Sequence, residues 1–279
     1  MRRVQPCRIY IGEILDERLM ALALDNRLGL GLLLVAGSVA FVIPATGHIH
    51  VVLGVALLAW FGFYLYKLSR GAMEEPELIG TAAVIGELPD RSRRATVVAL
   101  FVVAAAVILV CAKPFANSLV DIGTELGVDR FLLVQWLAPL ASEAPEFIIA
   151  VIFARRGNGT VAIAALISSK INQRTLLVGS LPIAYLVGGG SSSLALNGCQ
   201  IEEVLLTAAQ TIMGVALIHS LRFGKYSAWA LITLFVIQFA VTSTQGRFVL
   251  CSAYVAIAVV AVLVNRRHFL PTLRSPFVE

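Results

Sequence analysis

Charged side chains are scarce in this sequence. Asp, Glu, Lys and Arg make up only 14% of the residues, whereas soluble domains carry about a quarter. Hydrophobic residues make up 58% of the chain. The scarcity of charge excludes an ordinary soluble domain and predicts a polytopic membrane protein embedded in a lipid bilayer. The apolar runs are continuous and do not alternate with polar residues, which excludes a closed β-barrel.

Motifs for metal ions, nucleic acids and secretion are also lacking. The four cysteines are isolated and form no Cys-x-x-Cys pair, so disulfide and metal roles are not expected. The net charge of +5 includes no long basic run, which argues against nucleic-acid binding. The polar start up to Arg27 has no short apolar core, so no cleaved signal peptide is expected. We expect no cofactor.

The sequence does contain a series of apolar runs. At about 20 residues per crossing, they predict an all-α membrane protein with about eight spans. The runs are 28–43, 51–68, 95–119, 131–154, 160–187, 204–221, 227–242 and 248–264.

Basic and non-basic loops alternate between these runs. Arg155 and Arg156 form a basic loop, the next loop contains Glu202 and Glu203, and the loop after that is basic again. Because Lys and Arg concentrate on the cytoplasmic side, this alternation places both termini in the cytoplasm. We expect a multi-pass protein of the cell membrane.

Two spans are irregular. In the third, Lys113 and Pro114 interrupt the apolar run. The fifth contains residues 168–175, called the polar block here, which would be costly facing lipid. These features predict broken helices around a site near the membrane midplane. Further along, residues 188–193 (Gly-Gly-Gly-Ser-Ser-Ser) predict a flexible external loop.

The fourth span carries two carboxylates. Glu143 and Glu146 are three residues apart, so they project from nearly the same helix face. Pro139 and Pro145 predict helix breaks beside them. Ionisable groups within a span usually mark an ion or substrate path, which makes both acids candidate transport residues.

The polar block supplies the opposite charge. Lys170, Gln173 and Arg174 are spaced to share a helix face, and Ser169 lies four residues from Gln173. Two acids and two bases on consecutive spans predict an antiparallel helix pair whose formal charges cancel. The alternative is that these ion pairs serve structure alone.

At these residues the sequence resembles the sodium/calcium exchanger superfamily. The alpha-repeat of that family has a helix with Gly-Thr-Ser-x-Pro-Glu, a short basic loop and a polar second helix. Residues 141–146 (Ala-Ser-Glu-Ala-Pro-Glu) match the first helix, with Ser142, Pro145 and Glu146 aligned. The polar block falls on the second helix and retains Ser169. The resemblance covers about residues 112–187.

The resemblance implies a cation site with the metal ligands Glu146, Ser142, Ser169 and Gln173. It also implies proton-coupled exchange of Na⁺ or Ca²⁺. Lys170 stands where the family has an Asn, so a tethered ammonium could replace the cation. Ca²⁺ is the less favoured substrate, since it needs about 6–8 oxygen ligands.

Family members pair two inverted repeats, and only one is recognisable here. A homodimer supplying the other repeat, a truncated chain and a non-transporting remnant or membrane scaffold stay open. A third class, an intramembrane enzyme using His219 and Ser220, is disfavoured because adjacent helical residues point apart. The expected divisions are an N-terminal cytoplasmic segment 1–27, two spans 28–68, a cytoplasmic loop 69–94, an exchanger-like domain 95–265 and a cytoplasmic tail 266–279.

Overall fold

The computed structural model of the chain describes residues 26–70, 81–127, 138–221, 225–241 and 243–277. They fall into two compact units. The first unit holds the described residues up to Arg70 and from Ile149 onward, and the second holds those between 71 and 148. The domain divisions expected from sequence stay predictions.

Nearly all described residues are helical, which confirms the all-α class. The helices are α1 (26–39), α2 (Val42–Thr46), α3 (Val51–Arg70), α4 (Thr81–Gly86), α5 (Asp90–Glu125), α6 (Ala138–Arg155), α7 (Gly159–Asn172), α8 (Val178–Val187), α9 (Gly198–Ile218), α10 (Lys225–Ala240), α11 (Thr244–Val264) and α12 (Arg266–Arg274). A π-helical segment, Gln173–Leu177, joins α7 to α8. Two short strands, β1 (His48–His50) and β2 (Ser193–Ala195), complete the structure.

Five helical stretches among the described residues are long and apolar enough to cross a membrane. They are Asn26–Thr46, Val51–Arg70, Asp90–Phe115, Gly198–Ile218 and Thr244–Val264. Helices α6, α7 with α8, and α10 lie on the other three predicted runs. A multi-pass membrane protein is therefore confirmed, while the count of eight and the cytoplasmic termini stay predictions.

Helix α1 lies at the centre of the first unit. Leu30 and Leu32 are fully buried, and Leu33 and Leu34 nearly so. A helix that is apolar all round is suited to burial among other helices. It packs against α3, α7 and α9 through Tyr64, Ile167, Ile171 and Val215. The ring nitrogen of Trp60 in α3 donates to the Leu32 carbonyl at 3.1 Å, which fixes α3 beside it.

Two glycines allow α3 and α8 to cross closely. A Cβ placed on Gly54 would lie 2.6 Å from the carbonyl oxygen of Gly179 and 2.7 Å from Cγ of Pro182. A Cβ on Gly179 would lie 2.8 Å from the carbonyl oxygen of Gly54. Small residues at a crossing let membrane helices approach until their backbones touch. Here the backbones leave no room for a methyl group on either helix.

We expect Gly54→Ala to destabilise the protein by about 1–3 kcal/mol, because the new methyl would overpack a backbone contact. Gly62 lies on the same helix with no atom within 4 Å of its would-be Cβ. Gly62→Ala should instead stabilise by roughly 0.5–1 kcal/mol, the usual gain from removing a helical glycine. Thermal unfolding of both variants in detergent measures the difference. A rise in both melting temperatures would show that the crossing is not tight.

Helices α9 and α11 pack side by side and run in the same direction. At one end Arg247 lies between Glu202 and Glu203, and at the other His219 contacts Asn265. Between these ends lie the buried residues Leu206, Ala209, Met213, Ala216, Leu250, Cys251, Tyr254 and Ala258. Parallel α9 and α11 are consistent with the predicted placement of both preceding loops on the same, non-cytoplasmic side.

Strands β1 and β2 form an antiparallel pair that sequence reasoning did not predict. His48 pairs with Ala195, and His50 pairs with Ser193. The backbone N–H of Val51 also donates to the Ser192 carbonyl at 3.0 Å. The last residues of the predicted flexible loop are thus hydrogen-bonded to the start of α3, which corrects the expectation for that end of the loop.

The second unit contains the long helix α5, which passes through Pro114 without interruption. This corrects the predicted break in the third span. A proline removes one backbone hydrogen bond and crowds the preceding turn, but membrane helices tolerate it when local adjustments satisfy the freed carbonyl. Proline alone therefore does not divide this span.

Candidate functional site

The two predicted acids lie on α6. Glu143 and Glu146 are three residues apart in one helix; Glu143 is half-buried and Glu146 is exposed. They therefore project from nearly the same face, as the spacing predicts. The side chain of Ser142 lies outside the described part of the structure. The roles of all three residues stay predictions.

Of the two prolines beside the acids, Pro145 does not break α6. Pro145 lies inside the continuous helix Ala138–Arg155, so the predicted break there is corrected. Pro139 is the second residue of the described helix. A proline in a first turn costs no backbone bond, because the N–H at that position has no partner within the helix. Whether Pro139 ends an earlier helix concerns residues 128–137, which lie outside the description.

The polar block contains the main irregularity of the fifth span. Helix α7 ends at Asn172, and the turn Gln173–Leu177 is π-helical before α8 begins. A π turn carries one extra residue, which changes the direction of the side chains after it, and such turns are frequent at functional sites. The span is thus irregular, as predicted, although the chain stays helical throughout. Gln173 and Arg174 lie in the π turn itself.

Lys170 and Gln173 contact each other directly. The Lys170 ammonium donates a hydrogen bond to the Gln173 side-chain oxygen over 2.8 Å. Lys170 is exposed, while Ser169, Gln173 and Arg174 are half-buried. The amide oxygen predicted to bind a cation therefore already accepts from a fixed positive charge. An incoming cation would have to displace this ammonium or bind beside it.

A tyrosine from α3 anchors the start of the polar block. The hydroxyls of Tyr64 and Ser168 lie 2.9 Å apart, within hydrogen-bonding distance. Deeper in the block, Thr175 is fully buried and donates to the Ile171 carbonyl over 2.6 Å. Sequence reasoning missed Tyr64, because one hydroxyl in an apolar run gives no sign of its partner 104 residues away.

The acids and the polar block belong to different units. Glu143 and Glu146 are in the second unit, and the polar block is in the first. The structure therefore describes each half of the predicted helix pair by itself. The structure brings Lys170 and Gln173 into contact within the polar block, and it places Glu143 and Glu146 one turn apart on α6.

The surroundings of the His219 ring indicate a structural role. Its ring is 1% exposed, with Nδ1 2.6 Å from the Ala216 carbonyl oxygen and Nε2 3.3 Å from that of Asn265. The edge of the ring also contacts Phe269. Backbone oxygens thus surround both nitrogens, which leaves neither directed at Ser220. These contacts further disfavour the intramembrane-enzyme hypothesis.

These features together define a class of protein: a multi-pass helical membrane protein with ionisable residues and a π turn on two of its predicted spans, as in transporters. The sequence model of the family described as sodium/calcium exchanger protein matches residues 96–245, more than half of the chain. The chain belongs to the sodium/calcium exchanger family. This confirms the resemblance seen in the sequence and the expectation of a transport protein rather than an enzyme.

A solved structure supports the same assignment. The chain is similar to the crystal structure of an H⁺/Ca²⁺ exchanger, CAX, with 35% sequence identity and a TM-score of 0.85. The similarity covers 90% of this chain and 64% of that chain. The chain thus spans less than two thirds of the length of the exchanger that it matches. A comparison with curated protein sequences gave no match.

Proposed function

We propose that this chain acts in a proton-coupled cation antiporter of the cell membrane, with Glu146 as the carboxylate for which proton and cation compete. The observation that carries the proposal is the π turn at Gln173–Leu177. It lies in the region matched by the family model, and it begins at Gln173, which the resemblance implies as a cation ligand. Irregular helical backbone at membrane depth is typical where it lines a transport path.

The available ligands favour Na⁺ over Ca²⁺ as the transported cation. Ca²⁺ requires about 6–8 oxygen atoms, and here the Gln173 oxygen is engaged by the Lys170 ammonium. We therefore propose Na⁺ as the first cation to test and Ca²⁺ as the second. The CAX neighbour is named an H⁺/Ca²⁺ exchanger. Measuring transport of both ions therefore decides whether this chain prefers Na⁺ or Ca²⁺.

A second copy of the chain would complete the proposed transport unit. The recognisable repeat, at about 112–187, supplies one Pro-Glu helix, and the family uses two that face each other. Glu146 is exposed on this chain, and an ionised group exposed to hydrocarbon is unfavourable. A homodimer in which the second copy covers this face would remove that cost. Glu146, Ser142, Ser169 and Gln173 would be ligands, with Glu143, Lys170 and Arg174 adjusting the charge.

The proposal is tested with purified protein in sealed vesicles. An inward Na⁺ or Ca²⁺ gradient should drive proton efflux, read from a pH-sensitive dye trapped inside. The oligomeric state is determined in the same preparation by light scattering with correction for detergent. Gradient-driven proton movement in a dimeric preparation is the expected result. If vesicles with the protein show no more proton movement than protein-free vesicles for any ion tested, antiport by this chain is refuted.

One observation favours a second candidate, a non-transporting membrane scaffold. The bond from Lys170 to Gln173 places a tethered ammonium where a cation would bind. If that ammonium permanently replaces the cation, Lys170→Asn should create Na⁺-dependent proton movement where the wild type has none. The antiporter proposal instead expects wild-type activity without this substitution.

A further inference from the structure

Two histidines lie side by side on β1, away from the residues of the proposed transport site. His48 and His50 are two residues apart, so they project from the same face of the strand. Their rings stack with centroids 5.8 Å apart and planes inclined by 26°. Ile49 between them is 3% exposed and points into the protein. His50 is exposed and His48 is half-buried.

The hydrogen bond of His48 leaves one nitrogen suited to a metal ion. Its Nδ1 lies 2.9 Å from the Thr46 carbonyl oxygen. A carbonyl only accepts hydrogen bonds, so in the neutral imidazole Nδ1 carries the proton and Nε2 keeps its lone pair. Histidines that ligate metals commonly donate their other ring N–H to a backbone carbonyl, which orients the ring.

The backbone that carries both rings is already ordered. β1 is paired with β2 along its length. At one end of the pair, the backbone N–H of Gly47 donates to the Ile43 carbonyl at 2.9 Å, and that of Leu196 donates to the Gly47 carbonyl at 3.0 Å. An ordered backbone lowers the entropy cost of placing two ligands on one ion. The stacked rings must reorient before their nitrogens can share one ion at metal–nitrogen distances of about 2.0–2.1 Å, and His50, which is exposed, has room to do so.

We propose that His48 and His50 form a two-imidazole binding site for a divalent transition-metal ion such as Ni²⁺, Cu²⁺ or Zn²⁺. Imidazole nitrogens suit these ions, whereas Ca²⁺ and Mg²⁺ prefer oxygen. Among the residues that the structure describes, no group of three or more His, Cys, Asp or Glu side chains could hold a metal. Water molecules complete the coordination of an ion held by two imidazoles, because these ions take four or more ligands. This site does not depend on the proposed antiport.

The test is Ni²⁺ binding measured by isothermal titration calorimetry on full-length protein purified without a polyhistidine tag. We expect about one Ni²⁺ per chain. Loss of an outer-shell partner alone costs about 10–100-fold in metal affinity, so His48→Asn and His50→Asn should each weaken binding at least that much. His268, the exposed histidine of α12, supplies the matched control. His268→Asn should bind as the wild type does.

Undiminished binding in either His48→Asn or His50→Asn, or an equal loss in His268→Asn, would overturn the proposal.

Discussion

Glu146→Gln is expected to reduce gradient-driven proton movement to the level of protein-free vesicles. Gln keeps the size of the side chain but cannot ionise, so it can neither release a proton nor neutralise a cation. The substitution should leave the fold intact, since a charged residue at the membrane centre costs about 2.5–3.5 kcal/mol on insertion scales. Vesicle flux and thermal unfolding of the same preparation measure both effects. We expect lost flux with an unchanged or raised melting temperature.

Two further acids serve as comparisons for Glu146. Glu87 is exposed between α4 and α5, outside the predicted spans, so Glu87→Gln should transport as the wild type does. Glu143 lies one turn before Glu146 on the same helix, where the family has no acid, so Glu143→Gln should lower the flux less. If Glu146→Gln transports as well as Glu87→Gln does, Glu146 takes no part in the mechanism. The charges of α6 then have a structural role.

Composition and a short motif were enough to predict the class and family of this protein. Apolar runs must become helices in a membrane, because each backbone group needs a hydrogen-bond partner within its own segment. The positions of the helices follow directly from that requirement. Residues 141–146 (Ala-Ser-Glu-Ala-Pro-Glu) and the polar block then indicate the family, since charge and amide groups at such depth are costly without a function.

The local geometry of the helices could not be predicted in the same way. Pro114 and Pro145 are strong breakers in soluble helices, yet α5 and α6 continue through them. Conversely, Gln173–Leu177 contains no Pro or Gly and still adopts a π turn. Whether a membrane helix bends or widens depends on which neighbours satisfy its freed backbone groups. The residues that satisfy those groups lie on other spans, so the sequence of one span does not reveal its bends.

Contacts between distant segments were also beyond the sequence. Gly54 and Gly179 each look like an ordinary glycine in an apolar run, and only the crossing of α3 and α8 explains both. The strands β1 and β2 are three residues each, too short to give a readable alternation of polar and apolar residues. In the sequence Arg247 is a single charge before an apolar run, whereas in the structure it contacts two carboxylates.

Arg247 joins the N-terminal part of α9 to that of α11. Its Nη1 atom lies 3.0 Å from Glu203 and 3.4 Å from Glu202. The arginine side chain is 8% exposed, whereas those of Glu202 and Glu203 are 16% and 25% exposed. A guanidinium with several donors can bind two carboxylates at once. Without it, two partly buried negative charges would face each other.

Arg247→Met is therefore expected to destabilise the protein by about 3 kcal/mol, the lower end of the cost of removing one partner from a buried ion pair. The lower end applies because water still reaches both carboxylates. Thermal unfolding in detergent measures the change. Arg266→Met, at an exposed arginine of α12, should change stability by less than about 0.5 kcal/mol, as most surface substitutions do.

A triple variant separates charge from packing at this cluster. Combining Arg247→Met with Glu202→Gln and Glu203→Gln leaves no unpaired charge, and replacing a whole buried ion cluster with neutral groups is often nearly neutral. We expect the triple variant to regain most of the stability lost in Arg247→Met. If it melts as low as the single variant, packing of the arginine stem rather than its charge holds α9 against α11.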